Sequence, residues 1–184
     1  MSNDAPQVLK LDDYIKSNYV QSSVENSTYP PNLGKIINFF ESLPDDEKRE
    51  NLLSYANKSK AWEPSPDLVY DLEDIRKDEE CMDTVGIHLK IEQEEVFFNI
   101  SMGPKVQTLT RALASILCEA LKGATINQVL EVKDECITQI VGEKLVRLRS
   151  QTVYYLIQRM RSAVSDFQNW AETDRSSLRP TSST

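Results

Sequence analysis

Residues 85–100, which read VGIHLKIEQEEVFFNI, decide the fold of this chain. Apolar side chains alternate with glycine or polar ones over 85–91, which is the period of a half-buried β-strand. The polar segment 92–95 follows and 96–100 is apolar again, so the stretch predicts an antiparallel hairpin. Because 92–95 lacks the Asn-Gly pair that favours two-residue turns, we expect a longer connecting loop.

Helical periodicity flanks this hairpin on both sides. Ahead of it, 33–43 and 45–56 predict an antiparallel pair of helices, separated at Pro44. Behind it, 106–121 presents one broad apolar face and predicts the main core helix. The helices on both sides therefore have apolar faces that the hairpin can bury.

Two further helices are predicted towards the carboxyl end. Thr125 and Gln128 fit a capping box at the start of a short helix. Arg149 opens a last long helix whose apolar residues are expected to point inward as far as Phe167 and Trp170. Taken with the hairpin, this order predicts an α+β fold in which a small antiparallel sheet packs against helices.

Length and composition favour one domain with flanking segments. The chain has 184 residues, and we expect a flexible amino-terminal segment over 1–28, a domain over 29–172 and a disordered tail over 173–184. Within the first segment, a few apolar residues are spaced to form one short amphipathic helix: Val8, Leu9, Leu11, Tyr14 and Ile15.

The charge and the apolar content exclude two classes of partner. The net charge is −8, which argues against binding nucleic acid through a broad basic surface. No apolar stretch approaches the roughly 20 residues that a membrane span requires. We therefore expect neither nucleic acid nor a membrane as a partner.

The three cysteines are Cys81, Cys118 and Cys136, and their wide spacing favours free thiols in a reducing compartment. Cys118 falls on the core helix and is expected to be buried. Cys81 precedes the hairpin within the charged run 71–83, which is interpreted as a solvated loop. Cys81 is thus the candidate sulfur nucleophile.

The charges beside Cys81 bear on its reactivity. The thiolate is the nucleophile, and the carboxylates of Glu80 and Asp83 are expected to raise the pKa of the thiol. His88, the only histidine, would face the opposite side of a regular strand from Cys81, so a Cys–His pair is not expected. Metal-ligand spacings and a glycine-rich phosphate loop are missing, so we expect neither a metal nor a cofactor.

The order of predicted elements resembles the SufE family over about 29–167. The segments Pro30-Pro31-Asn32-Leu33 and Leu52-Leu53-Ser54-Tyr55 are similar to the family's Pro-Pro-x-Leu and Leu-Leu-x-Tyr. The family signature Gly-Cys-x-Ser-x-Val-Trp reads here Glu80-Cys81-Met82-Asp83-Thr84-Val85-Gly86. The cysteine and the valine match, whereas glycine, serine and tryptophan are replaced.

Two arginines also fall on family positions. Arg111 precedes Ala112-Leu113, where the family has Lys/Arg-Gly-Leu, and its place between apolar positions suggests a surface residue. Arg149 begins a segment similar to the family's Arg-x-Asn/Gln-Gly. A cation near a helix start is unfavourable for the helix dipole, which favours a functional role for Arg149.

The resemblance implies a function. A SufE-like protein accepts sulfur from a pyridoxal-phosphate cysteine desulfurase and activates that enzyme, so Cys81 would carry a persulfide toward iron–sulfur cluster assembly. Arg149 and Asp83 would bind the desulfurase, and a downstream Fe–S scaffold is a second expected partner. The protein would be a carrier and activator rather than a stand-alone enzyme.

Two expectations stay open at this point. The compartment is the cytoplasm, or an organelle lumen such as a plastid stroma if a transit peptide has been removed. The alternative function is a SufE-like interaction or regulatory adaptor that has lost sulfur transfer. The replacements at Glu80, Asp83 and Gly86 are what favour this alternative.

Overall fold

A computed structural model describes residues 29–78 and 83–177, with the side chains in these ranges except those of 78, 149–153 and 174–177. Helices cover most of this part of the chain, and four strands form one sheet. The elements are α1 (Pro31–Ser42), α2 (Asp45–Asn57), a 3₁₀ turn (Ser59–Trp62), β1 (Leu72–Asp78), β2 (Asp83–Glu92), β3 (Glu95–Met102), α3 (Thr108–Leu121), β4 (Ala124–Thr125), α4 (Ile126–Glu131), α5 (Glu135–Val141) and α6 (Glu143–Ser177).

The sheet is antiparallel with the strand order β1-β2-β3-β4. The predicted hairpin is β2–β3, whose alternating apolar residues Val85, Ile87 and Leu89 are all buried. The α+β class, with a small antiparallel sheet packed against helices, is confirmed. The alternation decides this outcome, because it gives β2 one continuous apolar face to pack against the helices.

The turn between β2 and β3 is tighter than expected. Glu92 pairs with Glu95, so Gln93 and Glu94 form a two-residue turn. Both have positive φ angles, 51° and 69°, which is the backbone of a type I′ turn. The expectation of a longer loop was wrong because the pairing of two apolar strands imposed this turn without the usual glycine.

The strand β1 lies within the run that the sequence suggested was a solvated loop. Residues 72–78 pair with β2 along their whole length at the edge of the sheet. Edge strands tolerate charged side chains on both faces, so their sequences lack a clear alternation. The interpretation as a loop was therefore wrong for β1.

Helix α3 is the centre of the core. It packs against α1 and α2, against β3 and against α6. The predicted broad apolar face is confirmed, since Leu113, Ile116, Leu117 and Leu121 are each no more than 1% exposed. The capping box at Thr125 is also present, because its hydroxyl accepts from the Gln128 N–H and the Gln128 side chain accepts from the Thr125 N–H.

The last helix is longer than predicted at both ends. It begins at Glu143, after Gly142 with φ 86° ends α5, and continues to Ser177. Residues 173–177 of the predicted tail therefore extend the helix, since the sequence has no helix breaker there. Trp170, expected to point inward, is 64% exposed. The segments 1–28 and 178–184 lie outside the described residues.

Within the described residues, no helix is long and apolar enough to cross a membrane.

Candidate functional site

The candidate site is the hairpin formed by β1 and β2. Asp78 pairs with Asp83, so residues 79–82 connect two strand ends that lie side by side. Cys81 belongs to this connection, as does Glu80, and both lie outside the described residues. What the structure describes of the site is the set of residues that hold the two ends of this connection, which we call the frame.

Asp83 fixes one end of the frame. Its carboxylate accepts the N–H of Thr84 at 2.8 Å and the N–H of Lys105 at 2.7 Å. The backbone hydrogen bond from Lys105, followed by the bond from Thr84, lowers the pKa of Asp83 below its usual value. A charged Asp83 thus joins the start of β2 to the loop between β3 and α3.

Arg111 holds the same loop from the other side. Its guanidinium donates to the carbonyl of Gly103 at 2.7 Å and to that of Val106 at 3.1 Å. The expectation of a plain surface residue was wrong, because a guanidinium has enough donors to bond two loop carbonyls at once. Glycine at 103 leaves room for this arrangement, since a Cβ atom there would overlap the Asp83 carboxylate and displace it from its hydrogen bonds.

We expect Asp83→Ala to release this loop. The Lys105 amide should then exchange with solvent faster, because it loses its acceptor. In the parent protein the bond is present above the unfolded-state pKa of about 3.9 and is lost as the pH falls through the lowered folded-state pKa. Hydrogen-exchange mass spectrometry at neutral and acidic pH measures both effects. Equal protection of Lys105 in variant and parent at pH 7 would show that Asp83 does not hold the loop.

Arg159 of α6 joins both strands of the hairpin and is only 2% exposed. Its guanidinium donates to the Asp74 carboxylate at 2.8 Å and to the Asp74 carbonyl at 2.7 Å. It also donates to the Val85 carbonyl, on β2, at 3.0 Å. Burial raises the pKa of Asp74, but the hydrogen bond and charge of Arg159 outweigh this effect and the net shift is downward.

The helix α6 runs antiparallel to β1 across this contact. Tyr155, one turn before Arg159, lies beside Arg76, with 6.0 Å from the guanidinium carbon to the ring centre. Arg76 is two residues nearer the strand end than Asp74, and one helical turn matches the length of two strand residues. The part of α6 that precedes Tyr155, which contains Arg149, therefore comes to the level of the strand ends that flank 79–82. The Arg149 side chain lies outside the described residues.

A comparison with known protein families shows to which family the chain belongs. The model of the SufE family, the Fe-S metabolism associated domain, matches residues 34–164. The chain belongs to the SufE family. Its Fe–S metabolism associated domain spans both helices of the amino-terminal pair, the sheet and most of α6.

Two similar proteins agree with this assignment. An uncharacterized SufE-like protein of Synechocystis sp. is 26% identical over 145 residues, which is 78% of this chain and 86% of that protein. The solution structure of a hypothetical protein from Thermus thermophilus is similar with a TM-score of 0.62 and 24% identity, and the match covers 77% of this chain and 98% of that chain. The second likeness shows the fold alone.

Gly86 stands where the SufE signature has tryptophan, and the structure leaves little room for a side chain there. A Cβ atom on Gly86 would overlap the Ser101 hydroxyl and lie 3.0 Å from Ile75 and 3.2 Å from His88. The space that a tryptophan would need is thus occupied by residues of all three long strands. A tryptophan at position 86 would therefore require Ser101, Ile75 and His88 to move.

His88 forms the polar network on this face. Its Nδ1 lies 2.7 Å from a Glu73 carboxylate oxygen and its Nε2 lies 2.9 Å from the Ser101 hydroxyl. The ring is buried and packs against Tyr70, with 5.1 Å between ring centres. The order serine, histidine, carboxylate is that of a hydrolase triad, but Ser101 sits on a regular strand and not on the strained turn that exposes such a nucleophile. The network satisfies a buried imidazole.

The other two thiols are buried, as the sequence predicted for Cys118. Burial raises the pKa of Cys118 far above its usual value and raises the pKa of Cys136 to about 12, with Asp134 adding to the second shift. Both remain protonated at neutral pH, so neither is a nucleophile in the folded protein.

Proposed function

We propose that this SufE-family protein accepts sulfur from a pyridoxal-phosphate cysteine desulfurase, as a persulfide on Cys81, for iron–sulfur cluster assembly. The observation that supports this most directly is the contrast among the three thiols. Cys118 and Cys136 are buried within the helical core, whereas Cys81 belongs to the short connection between two paired strand ends. A connection of this kind can enter the active site of a partner.

The transfer is a thiol–persulfide exchange. The Cys81 thiolate attacks the outer sulfur of the persulfide on the desulfurase cysteine, and a new S–S bond forms on Cys81. The S–S bond on the desulfurase breaks, and its cysteine leaves as a thiolate. The exchange needs no external oxidant or reductant, and it returns the desulfurase to the state that accepts the next substrate.

The charges near Cys81 indicate how the partner contributes. Asp83 is held ionised by its backbone hydrogen bonds, and like charges nearby disfavour a thiolate. A basic surface on the desulfurase would offset this effect on docking. In this proposal Asp83 and Arg149 flank the connection from β2 and from α6, and both contribute to partner binding.

Mass spectrometry after incubation with a cysteine desulfurase and cysteine tests the proposal. We expect Cys81 to gain the mass of one sulfur atom, and we expect Cys81→Ser to gain none. Cys118→Ser is the matched control, because it removes a thiol that is 0% exposed, and it should retain the full gain. Label on Cys118 or Cys136 in the folded protein would refute the assignment of the site.

The adaptor alternative rests on the replacements at Glu80, Asp83 and Gly86 relative to the family signature. If the protein binds the desulfurase but Cys81 gains no sulfur, the adaptor is the better description. If Cys81 gains sulfur at a rate that follows desulfurase turnover, the adaptor is excluded.

A further inference from the structure

A second surface of the molecule is an apolar groove bounded by α2, α3 and the first turn of α6. Its volume is about 270 Å³, and its apolar lining comes from Leu52, Leu53, Leu109 and Leu145. Leu53 is 53% exposed, and Leu148, on the next turn of α6, is 70% exposed. An apolar groove with exposed leucines in and near it is suited to being covered by a partner segment.

Basic side chains lie along one side of this groove. Arg49 lines it, and an adjoining cavity that shares Arg49 and Leu145 is lined by three further basic residues, Lys48, Lys144 and Arg147, and by two acidic ones, Asp45 and Glu143. Arg147 pairs with Glu143. The side chains of Lys48, Arg49 and Lys144 form no ion pair with any residue that the structure describes. On a chain of net charge −8, an apolar groove with a cationic rim is suited to an acidic amphipathic segment.

We propose that the groove is occupied in cis by the amino-terminal segment of this same chain, residues 1–28. In a helix, Val8, Leu11 and Ile15 would share one face. Asp12 lies beside this face and Asp13 follows it. Residues 8–16 carry two aspartates and two lysines, and of these side chains Asp12 lies nearest the apolar face, whereas both lysines lie farther around the helix. The apolar face matches the leucines of the groove, and Asp12 is the carboxylate placed to meet the basic rim.

The connection is long enough to permit this docking. The Asn32 side chain donates to the Lys122 carbonyl, which places the start of α1 at the carboxyl end of α3. The groove lies at the opposite end of α3, so the distance to cover is about 20 Å along a helix of this length. Residues 17–28 can span up to roughly 40 Å. A tether of this length gives an effective concentration in the millimolar range.

Photo-crosslinking in the full-length protein tests this docking. Leu53→p-benzoylphenylalanine puts the crosslinker in the groove at an exposed position, and Val69→p-benzoylphenylalanine is the matched control, because Val69 is an apolar residue that is 80% exposed outside the groove. We expect illumination of the first variant to crosslink it to residues 8–16, and we expect the control to give none. Mixing isotopically light and heavy protein distinguishes a contact within one chain from a contact between two copies, since a contact within one chain yields no light–heavy products.

Variants of the segment identify the docked face. Leu11→Asp should lower the crosslink yield about tenfold, as expected for the loss of one buried leucine contact. Leu9 is also apolar but lies on the other side of the helix from Val8, Leu11 and Ile15, so Leu9→Asp should lower the yield much less. Arg49→Glu should lower the yield, and Asp12→Lys should restore it. No crosslink to 1–28, equal effects of Leu11→Asp and Leu9→Asp, or mixed light–heavy products would overturn the proposal, the last by identifying a second copy as the occupant.

Discussion

Replacement of Arg159 by methionine is expected to lower the free energy of unfolding by about 3–5 kcal/mol. Methionine keeps much of the apolar volume but removes every donor of the guanidinium. Asp74 would then keep only its ion pair with the more exposed Arg76, and the carbonyls of Asp74 and Val85 would each lose the hydrogen bond from Arg159. Chemical denaturation, followed by circular dichroism, measures the loss.

Arg161 offers the matched control on the same helix. It also bonds one carboxylate, of Asp134, and one carbonyl, of Val132, but its side chain is 26% exposed against 2% for Arg159. Arg161→Met should therefore destabilise the protein less, because water can replace part of what is lost. Equal losses for the two variants would contradict the central role of Arg159 in holding the hairpin.

The ion pair between Arg159 and Asp74 predicts that part of the stability is lost in acid. Since the folded-state pKa of Asp74 is lowered, its contribution is present above the unfolded-state pKa of about 3.9 and is lost as the pH falls through the folded-state value. Asp74→Asn should flatten the dependence of unfolding free energy on pH in this acidic range. An unchanged slope in the variant would exclude Asp74 as a source of the acid sensitivity.

The second large effect concerns the reactivity of the three thiols. In folded protein at neutral pH we expect iodoacetamide to label one cysteine, Cys81, and in guanidinium chloride we expect it to label three. The raised pKa of Cys136, about 12, leaves very little thiolate at neutral pH, and burial keeps the reagent away from Cys118 and Cys136. Intact-mass spectrometry over time resolves the fast and slow phases.

Cys81→Ser is the control for this experiment, because it should leave the folded protein without a fast phase. Cys136→Ser should retain the fast phase at the parent rate. Rapid labelling of the Cys81→Ser variant before denaturation would mean that the helical core opens to solvent, and the contrast among the thiols that supports the proposed function would then fail.

Much of the fold could be predicted because its main elements follow from patterns of apolar residues within short segments of the sequence. The alternation over 85–91 predicts β2, and the spacing of apolar residues over 106–121 predicts α3, since each pattern fits one regular backbone and one buried face. The Thr125 capping box also depends on residues that are close in sequence. Cys81 was identified as the candidate nucleophile by its place before the hairpin and by the resemblance to SufE, and its role stays a prediction.

The frame around that cysteine could not be predicted in the same way. Asp74 and Arg159 are 85 residues apart, and neither has a local signal that names its partner. Asp83 lies 22 residues from Lys105, and its sequence position suggested a charge beside Cys81 and a role in partner binding, but no bond to a distant loop. Arg111 was expected at the surface because of its place between apolar positions of the helix. The carbonyls that it bonds are brought to it only by the path of the loop in the folded chain.

The sequence by itself determined the hairpin β2–β3, the core helix and the burial of Cys118. Each of these segments has apolar residues at the spacing of one regular strand or helix, and that spacing defines the face that is buried. Only the tertiary structure decided that the charged run 72–78 is a strand, that Arg159 joins both strands of the β1–β2 hairpin, and that the space at Gly86 is filled by neighbouring strands. The physical reason is that a polar group is stabilised by a specific partner at hydrogen-bonding distance, and that distance exists only once the chain has folded.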